Sequence, residues 1–351
     1  MSEVAIRVEG RAGRITLTRP QALNALTHGM LAAIAAALAA WRDDPAVALV
    51  LVDAEGPRAF CAGGDIAAIY EAGRRGDFGF ARGFWADEYR LNAAIARYRK
   101  PIVALMHGFV MGGGVGIGCH ASHRVVGESA QVATPECGIG LIPDVGSTQL
   151  LGRAPGALGE YLGLTGTRAG PGDAILAGFA DHFVPEARWP SLAAALCASG
   201  DPSAVTAASA APPEPALGPV REAVDAAFDD AADLAAIAAR LETSDWGHAV
   251  ARTLARQSPL SMACTLALVR AARRDPGIEK ALRREYRFSW RSQEDGDLLE
   301  GIRAAVIDKD RTPTWRHDVD GPRPDEVAAM LAPLDEELSL PGPVGGNMTI
   351  S

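Results

Sequence analysis

The sequence predicts an α/β protein: a core of repeated strand–strand–helix units with parallel character, followed by a helical C-terminal region. Three observations carry the prediction. Short apolar runs of β type alternate with helical-period segments through the first half of the chain. Glycine clusters stand where strands give way to helices. Beyond residue 220 the apolar spacing is helical, and the one strand-like run, residues 304–307, is ambiguous.

In order, residues 4–8 and 14–17 are β-type runs around a turn at Gly10 and Gly13. Thr27 is a candidate N-cap for a helix whose Leu31, Ile34, Leu38 and Trp41 share a face. Residues 48–52 form a continuous apolar run of the kind buried on both faces of a sheet. A helix is expected near 66–72 and a strand at 102–105. A glycine cluster and another helix follow, then a short strand around 124–126, with Val184 near the end of this half. Residues 200–219, rich in Pro, Ala and Ser, read as a linker or long surface loop. The expected division is a core at 1–199, the linker at 200–219, a helical region at 220–335 and a tail at 336–351.

Composition narrows the function classes. The 351 residues are 48% hydrophobic and 22% charged, which excludes disorder of the whole chain. A formal charge of −9 argues against a nucleic-acid or anionic-membrane partner. The cysteines at 61, 119, 137, 197 and 264 form no CxxC, a pattern of free thiols in a reducing compartment. The opening MSEVAIRVEG lacks a basic segment ahead of an apolar one, so no signal peptide is expected and the location reads as cytoplasmic. Residues 101–123 carry no formal charge but hold three histidines and six glycines. A buried strand, a glycine turn and a packed helix explain them better than a bilayer span.

Three features carry candidate chemistry. Phe60-Cys61-Ala62-Gly63-Gly64-Asp65-Ile66 and Met111-Gly112-Gly113-Gly114-Val115-Gly116 each put glycines between a strand and a helix. Backbone N–H groups at such a junction are unpaired and lie at the positive end of the helix dipole. Two converging junctions would form a donor pair for a developing oxyanion; tight turns under closely packed helices explain the same glycines. The third feature is Pro135-Glu136 with Asp144 eight residues on, in an apolar stretch with few cations. Carboxyls in such surroundings have raised pKa values and suit proton transfer or nucleophilic attack; capping a turn and a helix is the structural alternative. No phosphate loop of the G-x-x-x-x-G-K-[ST] type and no G-x-S-x-G is present. His120 and His123, read as i, i+3 on a helix, have no second ligand pair of zinc-like spacing, so no metal is expected. His107 reads as a satisfied buried histidine.

Together with Arg19-Pro20-Gln21-Ala22-Leu23-Asn24-Ala25-Leu26, these features resemble the enoyl-CoA hydratase/isomerase (crotonase) superfamily over residues 4–190. Ser244-Asp245-Trp246-Gly247, Ser258-Pro259, Glu285-Tyr286-Arg287 and the run from Glu300 to Asp310 are similar to its 3-hydroxyisobutyryl-CoA hydrolase branch. The resemblance implies a crotonase-like spiral of ββα units with a C-terminal helical region. It implies an oxyanion hole from the N–H groups of Gly64 and Gly113, and a coenzyme A loop at Ala62, Gly64, Asp65 and Ile66. Glu136 and Asp144 become the catalytic pair, and Glu88 joins Gly113, Glu136 and Asp144 in the substrate pocket. Read without the resemblance, Glu88 is a solvated helix charge.

The hydratases' first glutamate matches Gly116, which has no side chain to activate water. The implied reaction is therefore hydrolysis of a short branched 3-hydroxyacyl-CoA, foremost 3-hydroxyisobutyryl-CoA of valine catabolism, with coenzyme A as part of the substrate and no separate cofactor. The alternatives are hydratase or isomerase activity on another acyl-CoA, and acyl-CoA binding without turnover. Superfamily members often trimerise through C-terminal helices, whereas this branch has a longer C-terminal region, so a homo-oligomer stays an open expectation.

Overall fold

The computed structural model describes residues 3–318 and 321–340, with nine strands and sixteen α-helices among them. β1 (Val4–Glu9) and β2 (Ala12–Leu17) form an antiparallel hairpin that leads into α1 (His28–Trp41). Three strand pairs follow in sequence: β3 (Leu49–Ala54) and β4 (Ala59–Cys61), β5 (Ile102–Met106) and β6 (Phe109–Met111), β7 (His123–Val126) and β8 (Gln131–Ala133). β9 (His182–Phe183) closes the series. The first strand of each pair enters a six-stranded sheet of order β1-β2-β3-β5-β7-β9, and the second enters a three-stranded sheet of order β4-β6-β8. Every neighbouring pair except β1 and β2 is parallel.

The helices fill the returns. α2 (Ile66–Arg74) and α3 (Phe78–Ala96) join β4 to β5, and α4 (Gly113–Gly118) joins β6 to β7. α5 (Ser147–Arg153), α6 (Leu158–Thr165) and α7 (Pro171–Leu176) lie between β8 and β9. This is the repeated ββα architecture of the crotonase fold. After β9 come α8 (Trp189–Ser199), α9 (Ser203–Ala208), α10 (Arg221–Phe228), α11 (Leu234–Leu241) and α12 (Asp245–Leu254). α13 (Pro259–Arg274), α14 (Ile278–Arg291), α15 (Leu298–Ile302) and α16 (Pro324–Leu331) complete the helical region.

Local chemistry explains the boundaries. Thr27 caps α1 by accepting the Met30 N–H at 3.3 Å, and Ser258 caps α13 ahead of Pro259, which loses nothing by lacking an N–H at the first helical position. β3 and β5 are buried on both sides. Val50, Val52, Ile102 and Ala104 face the large core, while Leu49, Leu51, Val103 and Leu105 face a second cluster closed by α8 and α9. The period-two alternation of a strand thus serves two apolar layers.

Three expectations are revised here. Residues 200–219 contain α9, whose Val205 is fully buried under the six-stranded sheet, and Ala210 bridges Phe183. Residues 304–307 fall in a π-helical turn, Arg303–Ile307, not a strand. α4 ends at Gly118, so His120 lies in the turn beyond it and His123 opens β7; the two do not share a helix. The part of the expected tail at 341–351 lies outside the described residues.

α15 is seated against the turn that carries Glu136. A Cβ added to Gly301 would lie 2.2 Å from the Ile139 carbonyl carbon and oxygen. Gly301→Ala should destabilise the fold by about 1–3 kcal/mol, the usual cost of overpacking, read as a lower urea midpoint.

Candidate active site

β4, β6 and β8 run parallel and side by side, so the segments after them emerge at one edge of the small sheet. Those segments are Ala62-Gly63-Gly64-Asp65, Gly112-Gly113 and Thr134-Pro135-Glu136. Gly63 has φ +113° and Gly112 φ +49°, backbone conformations that a Cβ would strain. The two glycine turns touch: a Cβ built on Gly112 would sit 3.2 Å from Gly63 Cα, and one on Gly113 would sit 3.6 Å from the Gly63 carbonyl carbon.

Gly113 opens α4, so its N–H has no partner within the helix. Gly64 bridges Leu26 through Leu26 N–H to Gly63 O at 2.8 Å and Asp65 N–H to Leu26 O at 2.9 Å. The Gly64 N–H takes no part in that bridge. The N–H groups of Gly64 and Gly113 therefore lie at adjoining turns. The loop from Ala62 to Ile66 is held by Ala62 N–H to Leu23 O at 3.0 Å and by an Arg19–Asp65 ion pair at 2.9 Å.

Three carboxyls close on the turns. Glu88 is 3% exposed, Glu136 5% and Asp144 3%. The solvated helix charge expected at Glu88 is corrected: α3 lies in the core, and Glu88 Oε1 sits 2.5 Å from where a Gly113 Cβ would be. Its neighbour Asp87 is equally buried but paired with His28 at 2.6 Å and Arg90 at 2.8 Å. Glu88 Oε1 and Glu136 Oε2 have no hydrogen-bond partner. Asp144 accepts the Tyr89 hydroxyl at 2.8 Å, and Ser289 Oγ lies 2.8 Å beyond.

Burial lifts all three pKa values. Glu88 and Glu136 are held well above the ordinary carboxyl range, first by desolvation and then by the charge of Asp144. Asp144 is pushed up to about 7 by desolvation, against the opposing hydrogen bond from Tyr89. Neither Glu136 nor Asp144 acts as a plain helix cap: Glu136 opens a 3₁₀ turn, Glu136–Ile139, and Gly146 holds the N-cap position of α5.

The turn bearing Asp144 is strained and clamped. Val145, β-branched and fully buried, has φ +53°, and Gly146 follows at +83°; a non-glycine residue in such a region costs about 1–3 kcal/mol. His120 Nε2 donates to Val145 O at 2.8 Å; burial lowers the pKa of that ring to about 4, so it is neutral. Glu285 of α14 accepts the Gly146 N–H at 2.7 Å, the Thr148 N–H at 3.1 Å and the Thr148 hydroxyl. Tyr89, Ser289, Glu285 and His120 were not assigned roles in this site from sequence. The only signal was Glu285 standing within a branch-like motif.

This fold and this arrangement define a crotonase-fold protein, and the chain matches the Enoyl-CoA hydratase/isomerase family over residues 12–331. It belongs to that family. Over 329 residues it is 39% identical to the "3-hydroxyisobutyryl-CoA hydrolase, mitochondrial" of Xenopus tropicalis, covering 90% of this chain and 85% of that protein. It is 35% identical over 330 residues to "3-hydroxyisobutyryl-CoA hydrolase 1" of Arabidopsis thaliana, covering 90% and 87%. A solved structure of an enoyl-CoA hydratase from Rhodobacter sphaeroides 2.4.1 superposes with a TM-score of 0.92 at 55% identity, covering 97% of this chain and all of that one. A carnitinyl-CoA dehydratase from Mycobacterium thermoresistibile gives 0.93 at 43%, with the same coverage. The mitochondrial name of the Xenopus relative gives no support to the cytoplasmic location expected from sequence. No helix among the described residues is long and apolar enough to cross a membrane.

Two titrations check the electrostatics. A carboxyl whose pKa is raised by folding favours the folded state only while protonated, so stability falls as pH rises from the unfolded value, about 4.3. Glu88→Gln should therefore melt like the parent at pH 4 and higher than the parent at pH 8. Tyr89→Phe removes the bond that favours ionised Asp144 and should move the Asp144 titration above 7, as followed by carboxyl ¹³C NMR.

Proposed function

We propose that the chain hydrolyses the thioester of a short 3-hydroxyacyl-CoA, with 3-hydroxyisobutyryl-CoA of valine catabolism as the substrate. The observation that supports this most directly is the meeting of the Gly64 and Gly113 turns with Glu136 and Asp144 at the edge of the small sheet. The names of the Xenopus and Arabidopsis relatives support the same reaction.

In this reading the thioester carbonyl oxygen accepts the N–H groups of Gly64 and Gly113. A preorganised donor of this kind is worth about 2.7–4 kcal/mol in the transition state. Glu136, ionised, acts at the carbonyl carbon, either by direct attack to give an anhydride or by taking a proton from the attacking water. The C–S bond breaks and the coenzyme A thiolate leaves with a proton. Water supplies the remaining oxygen and hydrogens of the acid and thiol. Asp144 holds the 3-hydroxyl and the proton traffic, Glu88 lines the acyl pocket, and Ala62, Gly64, Asp65 and Ile66 meet the adenine end of coenzyme A. In single turnover in ¹⁸O water, label in Glu136 identifies the anhydride route, since only water attack on the glutamyl carbonyl of an anhydride places it there.

Hydration or dehydration of an enoyl-CoA is the second reading, favoured by the names of the two solved structures. Against it stands Gly116: a Cβ there would lie 2.5 Å from Asn92 Nδ2 and 2.9 Å from Val145 Cβ, so no second acidic side chain fits.

The test is thiol release from a panel of acyl-CoAs, with enoyl absorbance followed in parallel. Free thiol is expected from 3-hydroxyisobutyryl-CoA, with the rate falling as pH drops, because Glu136 acts ionised and its pKa is raised by burial. Glu136→Ala should lose at least about 10²-fold in kcat, the lower end for a general acid–base group, while retaining ester binding. Change in enoyl absorbance without thiol would establish the second reading.

A further inference from the structure

α3 and α4 lie against each other in a simple register. Glu88 and Asn92 are one helical turn apart on α3, as are Gly113 and Gly116 on α4. Glu88 reaches the position a Gly113 Cβ would take, and Asn92 the position a Gly116 Cβ would take, each at 2.5 Å. The side chain missing at residue 116 leaves space that the Asn92 amide occupies. Asn92 thus stands one turn, about 6 Å, deeper along α3 than the carboxyl beside the Gly113 N–H.

The bonding of this amide is anomalous. Asn92 is 0% exposed, yet neither its Oδ1 nor its Nδ2 has a hydrogen-bond partner. A buried polar group left in that state costs about 1–3 kcal/mol. Asn24 is the internal comparison. It too is 0% exposed, but its Oδ1 accepts the Arg19 N–H at 2.9 Å and its Nδ2 donates to Glu55 O at 3.0 Å and Ala59 O at 2.9 Å. An asparagine kept for packing or turn geometry uses its amide in that way. Asn92 keeps an unused donor and acceptor in the row that contains Glu88, whose Oε1 is also unpartnered.

A hydroxyl donates one hydrogen bond and accepts others, and so matches an amide beside a carboxyl. We propose that Asn92 is a specificity-determining residue, its amide hydrogen-bonding the hydroxyl of a hydroxyacyl group. This rests on the thioesterase reading and extends it to substrate selection. The thioester carbonyl stands at Gly113, and the short acyl chain runs along α4 towards Gly116. Its hydroxyl accepts from Asn92 Nδ2 and donates to a carboxyl oxygen of the site. An acyl chain without the hydroxyl leaves the amide unpaired and gains none of these bonds; sites built to bind a hydroxyl discriminate strongly in this way.

The experiment compares thiol release from 3-hydroxyisobutyryl-CoA and isobutyryl-CoA by the parent, Asn92→Leu and Asn92→Ala. Leucine keeps the volume and removes the hydrogen bonds; alanine gives the same readout should the leucine variant not fold. The parent should prefer the hydroxylated ester. In the variants, kcat/KM for that ester should fall about 10–100-fold, the worth of one to two hydrogen bonds to a buried polar group. For isobutyryl-CoA it should change by less than about threefold on the same scale. Equal losses on both esters, or no loss on either, overturn the role of Asn92 and leave the thioesterase reading standing. If the parent releases thiol from neither ester, the thioesterase reading itself fails, decided before any variant is compared.

Discussion

The site depends on the parallel alignment of three short strands. β4, β6 and β8 contribute only three residues each to their sheet, but their common direction makes each following turn emerge at the same edge. Two of those turns are glycine turns in close contact, and the third leads through Thr134 and Pro135 to Glu136. Displacing one strand would separate the donors from the carboxyl, whatever the remainder of the fold did. The six-stranded sheet and its two apolar layers give this small sheet a fixed base. The arrangement follows the general rule that ligands gather at the carboxyl ends of parallel strands.

A second constraint is electrostatic. Glu88, Glu136, Asp144 and Glu285 are buried near one another, and the hydrogen bonds they accept come from neutral donors: the Tyr89 hydroxyl, the Thr148 hydroxyl and backbone N–H groups. The four cannot all ionise without mutual repulsion in a low-dielectric setting. Asp87, in the same turn of α3 as Glu88, shows the conventional solution, since it is paired with the Arg90 guanidinium and hydrogen-bonded with His28. Burial without a compensating cation therefore keeps these carboxyls destabilised in their ionised form.

Much of this was legible in the sequence because glycines at strand–helix junctions and apolar runs are local signals. The turns at Gly64 and Gly113, the helix capped by Thr27 and the acidic pair of Glu136 and Asp144 each show within a few residues. Glu88 was legible only through family resemblance, because charge on a helix reads as solvent-facing unless its neighbours in space are known. Glu285 and Ser289 are a different case, since their partners lie far along the chain; Glu285 and Gly146 are 139 residues apart. Residues 200–219 misled for the opposite reason. Small residues suggest a bare linker, but Val205 and Leu217 are enough to seat the segment against the core.

The clamp on Asp144 also couples the helical region to the edge of the small sheet. α14 supplies the carboxyl that pins the Asp144 turn, although Glu285 and Gly146 lie 139 residues apart. The left-handed pair Val145 and Gly146 is held from two sides, by His120 beyond α4 and by Glu285 of α14. A shift of α14 would therefore reach Asp144 without any change in either sheet.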